Sequence, residues 1–256
     1  MRFATPLLIA AALASTALAR PVPRTAPPAA SIRAIAAALA DPGRPAADRE
    51  RDTSRHATEL LAFMGVKPGD KVADFIMGGG YWTRVLAPLV GPAGKVYAYQ
   101  PAEFIQYRAA YGTEQDAAVA GRANVVANRD SLGAIHFAEP LDAIITVQNW
   151  HDLHLHQSPP GASALIAHEL FAALKPGGTL LVVDHVGANP TPFAVADTLH
   201  RGDPAATRAE MEAAGFRFDG SLPVLANPAD PHTALVFDPA IRGHTDQFVY
   251  RFRKPR

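Results

Sequence analysis

The 256-residue sequence predicts an α/β fold: one doubly wound, seven-stranded sheet, mostly parallel, with an antiparallel C-terminal hairpin at one edge. Three observations carry this expectation. Short apolar runs alternate with helical stretches from residue 71 to residue 186, a rhythm that fits a parallel sheet covered on both faces. The first run ends in Asp74 and breaks into Gly78-Gly79-Gly80 before a helix begins, as a strand-turn-helix unit does where a ligand meets the main chain. The last two extended segments, about 216–226 and 245–253, follow the final helix and form the hairpin.

From the N-terminus, Met1-Arg2-Phe3 leads into an apolar, small-residue stretch from Ala4 to Leu18 and then Ala17-Leu18-Ala19 before Arg20. A basic start, a short hydrophobic region and an Ala-x-Ala site describe a signal peptide over 1–19. The run is shorter than the roughly 20 residues a spanning helix needs. No cysteine occurs, which removes a lipid-attachment cysteine, disulfides and thiol chemistry. The expectation is export to the periplasm, or secretion, with no stable membrane association after cleavage. Residues 20–50, rich in alanine and carrying Pro21, Pro23, Pro27 and Pro28, read as a linker with a short amphipathic helix over Ser31 to Ala40. Residues 51–256 suit one domain with a single core.

Within that domain, strands are expected at about 71–77, 95–100, 123–128, 141–148 and 179–186, ahead of the hairpin. Helices are expected at about 81–90, 102–119, 161–174 and 204–214. The proline-rich stretch from Asn227 to Gly243 is too long for a simple turn and reads as a lid over the ligand pocket.

The residue types at the glycine turn define its chemistry. Glycine reaches positive φ freely, and without a Cβ it lets a ligand lie against the backbone. The helix that follows offers free N–H groups to the same space. The run Asp74-Phe75-Ile76-Met77-Gly78-Gly79-Gly80 resembles the first motif of class I S-adenosylmethionine-dependent methyltransferases, Asp-x-Gly-x-Gly-x-Gly, with Ile76 where the first glycine belongs. Gln100 stands where the second motif carries an acid that grips the ribose hydroxyls. An amide donates and accepts there but forgoes the charge-assisted bond. Leu174-Lys175-Pro176-Gly177-Gly178 followed by an apolar strand is similar to a phrase of the same family. The phrases Gly78-Gly79-Gly80-Tyr81, Trp150-His151-Asp152-Leu153 and Asp238-Pro239-Ala240-Ile241-Arg242-Gly243 look like an exported bacterial branch of predicted methyltransferases.

The resemblance spans roughly residues 55 to 255. It implies a Rossmann-like fold, S-adenosyl-L-methionine as cofactor, and methyl transfer to a small molecule. Asp74, Gly78, Gly79, Gly80, Tyr81 and Gln100 then hold the cofactor, and Asp130 falls where the family's adenine-contacting acid lies. Asp130 equally suits a cap on the following turn. Gln148 and Asn149, at the carboxyl end of the fourth strand, line the pocket floor. Arg55 and His56 either close over the cofactor or occupy an exposed helix face.

His151 and Asp152 are the candidates for catalysis on the acceptor side, since a base is needed when the acceptor must lose a proton. A histidine at a strand end also serves as a hydrogen-bonded structural residue. The run His151-Asp152-Leu153-His154-Leu155-His156 offers a further reading as a divalent-metal cluster and hence a metal-dependent hydrolase. A third reading keeps the fold as a small-molecule-binding protein without the reaction. Lys95 lacks the spacing of a phosphate loop. Lysine plus arginine and aspartate plus glutamate number 24 each, so the chain lacks the footprint for nucleic acid or an anionic membrane.

Overall fold

The computed structural model describes residues 29–188 and 192–256. The predicted signal peptide, its cleavage site and the first prolines of the expected linker lie outside the described residues. Seven strands form one sheet: β1 (Lys71–Phe75), β2 (Lys95–Tyr99), β3 (Val125–Asn128), β4 (Leu141–Val147), β5 (Leu174–His185), β6 (Arg217–Ser221) and β7 (Gln247–Arg253). Their order is β3-β2-β1-β4-β5-β7-β6. The first five pair in parallel, and β7 runs antiparallel between β5 and β6. This is the doubly wound, mixed sheet that the sequence predicts.

Nine helices surround it in the described residues: α1 (Ala29–Leu39), α2 (Ala46–Arg49), α3 (Ala57–Met64), α4 (Tyr81–Val90), α5 (Ala102–Tyr107), α6 (Ala110–Val119), α7 (Ala162–Ala173), α8 (Ala196–Leu199) and α9 (Pro204–Ala213). Alternation along each strand divides the core. Val72, Val96, Ile145 and Leu181 face the layer of α1, α3 and α4, whereas Ala73, Tyr97, Ile144 and Leu180 face α7 and α9. Helix α9 starts where Asp203 accepts from Ala206 N at 2.8 Å and Pro204 supplies a preset φ. None of these helices is long and apolar enough to cross a membrane.

Three expectations need correction. The helix expected over 102–119 is two, because Arg108 is extended (φ −141°, ψ 100°) between α5 and α6. The sixth strand stops at Ser221 and passes into a 3₁₀ turn, Pro223–Leu225, since Pro223 has no N–H for a ladder. The larger correction concerns residues 29–50, which pack as part of the domain rather than hanging free as linker. Ile35 and Ala38 of α1 are buried against the α4 layer, and burying an isoleucine contributes about 1.5–3 kcal/mol.

Polar contacts fasten the same segment. The Arg44 guanidinium, fully buried, grips Asp52 through Nη2–Oδ1 at 2.6 Å and Nη1–Oδ2 at 2.9 Å. Asp52 also accepts from Tyr81 Oη at 2.6 Å, and Asp48 accepts from Arg84 Nε at 2.6 Å and Arg51 Nη2 at 2.8 Å. Residues 29–55 are thereby pinned to the first turn of α4, beside the glycines.

Candidate functional site

Where the sheet order reverses, between β1 and β4, the loop after β1 crosses the carboxyl ends of the parallel strands. A cavity of ≈170 Å³ lies there, lined by Asp74, Ile76, Met77, Gly78, Gly79, Tyr81, Trp82, Val147, Gln148 and Asn149, with Arg51 and Arg55 over it from the N-terminal segment. Asp74 sits at the base, where Oδ2 accepts from Thr83 N at 2.8 Å and Thr83 Oγ1 at 2.7 Å and so fixes the start of α4. Burial pushes its carboxyl up to about 6 despite those bonds.

The departures from the glycine motif acquire a geometry. Ile76 has φ 56°, the left-handed conformation natural to glycine and strained by about 1–3 kcal/mol in other residues. Asn149 holds it there, donating Nδ2 to Ile76 O at 2.7 Å. Gly78, at φ 53°, gives its N–H to Gln100 Oε1 at 3.0 Å. That leaves Gln100 Nε2 buried with no hydrogen-bond partner among the described residues. A Cβ built on Gly78 or Gly79 meets nothing within 4 Å.

Gly80 differs. A Cβ there would approach Ala118 Cβ at 2.6 Å and Arg84 Nη1 at 2.8 Å, so its glycine serves helix packing and the positive φ of 78° rather than a ligand. Asp130 lines neither this cavity nor the next. Its Oδ2 accepts from His136 N at 2.9 Å, which caps the turn after β3. His56 bonds Glu59 Oε1 at 3.2 Å and lines neither cavity, whereas Arg55 stands over both.

The second cavity, ≈360 Å³, shares Arg51, Arg55, Trp82, Val147 and Gln148 with the first and is thus contiguous with it. Val236, Phe237, Arg242 and Gly243 line it from the long loop, so that loop borders this space rather than the one at the glycines. His185, at the end of β5, lines it as well. Its Nδ1 bonds Thr245 Oγ1 at 2.7 Å, leaving Nε2 without a partner among the described residues, and burial pulls its pKa down to about 4. Nothing in the apolar run before His185 distinguishes it except its place at a strand's carboxyl end.

His151 and Asp152 line neither cavity. His151 is buried with Nδ1 on Asp184 Oδ1 at 2.8 Å and Nε2 near Asp152 Oδ1 at 3.2 Å. Burial opposes its charge, but the two carboxylates overcome that and raise it to about 10, while Asp152 falls to about 2. The two carboxylates thus hold His151 away from both cavities, and neither it nor Asp152 faces the space where the sequence places an acceptor-side base. The expected metal run also comes apart: His154 Nε2 meets Glu210 at 3.2 Å and His156 Nδ1 meets Asp197 at 2.7 Å. His151, Asp152 and His200 do bring one ligand atom each within 4.8 Å of one another.

Solved structures with the same architecture identify the fold. A SAM-dependent methyltransferase from Aquifex aeolicus aligns at a TM-score of 0.53 and 20% identity, covering 87% of this chain and 98% of that one. The fold is that of S-adenosylmethionine-dependent methyltransferases. The N-methyltransferase NodS from Bradyrhizobium japonicum aligns at 0.54 and 12% identity over 81% of this chain and 97% of that one. CrArsM, an arsenic(III) S-adenosylmethionine methyltransferase from Chlamydomonas reinhardtii, aligns at 0.50 and 18% identity, over 87% and 73%. No protein-family model matches the sequence, and no curated protein does.

Proposed function

We propose that this chain is an exported S-adenosylmethionine-dependent methyltransferase acting on a small molecule. One observation carries the cofactor assignment: the open backbone of Gly78 and Gly79 in the cavity at the sheet's reversal, with the Gly78 turn held from behind by its N–H bond to the buried Gln100 Oε1. The glycines leave room for a ligand against the main chain, and the Gln100 bond keeps their turn in the shape that does so. Asp74, Gly78, Gly79, Tyr81, Gln148 and Asn149 would hold it, with Gln100 set behind Gly78. When bound, S-adenosylmethionine supplies an electrophilic methyl group on a sulfonium.

The chain's own residues contribute alignment and dryness. Trp82, Val147 and Gln148 form the boundary between the two cavities, where donor and acceptor would meet, and Arg51, Ser54 and Arg55 cover it from the N-terminal segment. His185 lines the second cavity, anchored through Nδ1 to Thr245 Oγ1, and burial disfavours its charged form, so it offers an acceptor a neutral hydrogen-bonding imidazole. The export part of the reading rests on residues 1–19 alone, and N-terminal sequencing of periplasmic protein is expected to begin at Arg20.

Calorimetric titration of the purified chain with S-adenosylmethionine and S-adenosylhomocysteine tests the cofactor. Saturable binding of both is expected, weakened at least about tenfold by Gln100→Leu. Absence of binding at millimolar ligand would overturn the reading.

A further inference from the structure

We propose that the ≈360 Å³ cavity receives its acceptor as a small oxyanion, a carboxylate or phosphate, on an apolar or aromatic body. The word acceptor rests on the methyltransferase reading; the anion site itself does not. Arg51, Arg55 and Arg242 line this cavity, and no aspartate or glutamate does among the described residues. Arg51 is already committed to Asp48 at 2.8 Å. Arg55 is not committed. It is partly buried, its guanidinium makes no hydrogen bond or ion pair with any described residue, it lies on the face of Tyr81, 4.6 Å from the ring centre, and Asp48 and Asp74 act on it only through space.

A cation withdrawn from water without a directly paired counter-ion is costly, and a ligand that brings an anion into contact reduces that cost. Burial accordingly lowers the Arg55 pKa. Two further donors stand free nearby. Arg242, exposed on the long loop, has no ion pair among the described residues, and Trp82 keeps a buried indole N–H without an acceptor. Guanidinium forks and an N–H suit planar or tetrahedral oxygens. Leu60, Val147, Leu225, Val236 and Phe237 supply the apolar wall for the rest of the molecule.

Arg55 also lines the glycine cavity, so a carboxylate of the cofactor could meet it there; Arg242 lines the second cavity alone and separates the two sources. The test titrates the full chain, saturated with S-adenosylhomocysteine, with 4-hydroxybenzoate, phenyl phosphate, 4-hydroxybenzamide and 4-hydroxybenzylamine. Either anion is expected to bind at least about tenfold more tightly than the neutral amide and the amine, and the better of the two anions distinguishes carboxylate from phosphate. Arg55→Gln and Arg242→Gln are each expected to weaken that anion at least about fivefold, with Arg242→Gln leaving S-adenosylhomocysteine affinity unchanged. A thermal melt confirms that both variants fold. The proposal is overturned if amide or amine binds as well as the anions, if no probe binds, or if Arg242→Gln has no effect while Arg55→Gln weakens only S-adenosylhomocysteine. Should S-adenosylhomocysteine fail to bind while anions bind with the same arginine dependence, the cofactor reading falls and the anion site stands.

Discussion

Asp52→Asn isolates the clasp between the N-terminal segment and the glycine turn. The change keeps the side chain's shape and removes its charge. It strands the fully buried Arg44 guanidinium, which makes two bonds of 2.6 and 2.9 Å to Asp52, and it weakens the 2.6 Å bond from Tyr81. Breaking a buried pair from one side costs about 3–5 kcal/mol. The Asp52 side chain is 21% exposed, and solvent relieves part of that, so about 2–3 kcal/mol is expected here. For a chain of this size that corresponds to a drop of about 5–10 °C in melting temperature. Urea denaturation gives the free energy, and native-state hydrogen exchange locates the loss, with amides of α1 and residues 44–55 opening before the strands. Adding Arg44→Met to Asp52→Asn is expected to recover more than half of the loss, because no buried charge is then left unpaired. A single variant within about 0.5 kcal/mol of the wild type, or exchange unchanged over 29–55, would refute the reasoning.

The neighbouring glycines are expected to separate packing from binding. Gly80→Ala forces a Cβ to 2.6 Å from Ala118 and is expected to destabilise by at least about 2 kcal/mol in denaturant melts, whereas Gly79→Ala leaves the melt nearly unchanged and lowers cofactor affinity by calorimetry. Asp74, raised by burial from 3.8 to about 6, binds a proton in the folded chain that the unfolded chain has already lost. Its contribution to stability therefore falls as pH rises between about 4 and 6, by up to about 1.4 kcal/mol per unit, and Asp74→Asn removes that slope in paired urea titrations. His151 has the opposite character, a base raised from 6.5 to about 10. Its stabilisation is complete below about 6.5 and lost as pH climbs towards 10, and a His151→Gln variant with an unchanged pH profile in that window would show that the imidazolium pairing contributes nothing. His185→Ala is expected to raise the KM for the acceptor with cofactor affinity retained, read by steady-state kinetics once an acceptor is in hand.

The strands were legible because a buried parallel strand must be a continuous apolar run, and Leu141 to Val147 can be little else. The glycine turn was legible because few residues tolerate its backbone, although Ile76 shows that the conformation persists where the sequence departs from it. The break at Arg108 was hidden, since the composition on both sides of it is helical. Residues 29–50 resemble linker because alanine and proline dominate them. Their fastening lies in Arg44, Asp48 and Asp52, whose partners Tyr81 and Arg84 are some thirty residues away, and the four-residue spacing of those three charges was the only local hint. At the site, strand ends were the right place to search, but which way a side chain turns there depends on tertiary partners. Asp184 draws His151 inward and away from both cavities, whereas His185, the very next residue along β5, lines the second one. Arg242 was legible only as part of the phrase Asp238 to Gly243 in the long loop, with nothing local to say that it lines a cavity.

The place of β7 governs how this chain comes into being. β7 is the last strand in sequence, yet it fills an interior position, bonded along one side to β5 and along the other to β6. During synthesis β6 therefore emerges with no neighbour to pair with, and β5 presents a bare, strongly apolar edge until residues 247–253 appear. Such an edge is the kind that recruits strands from other chains. Completion of the sheet also spans contacts between residues far apart in sequence, which slows folding. Loss of β7 would thus orphan β6 and leave β5 paired only to β4, so one strand secures two places in the sheet.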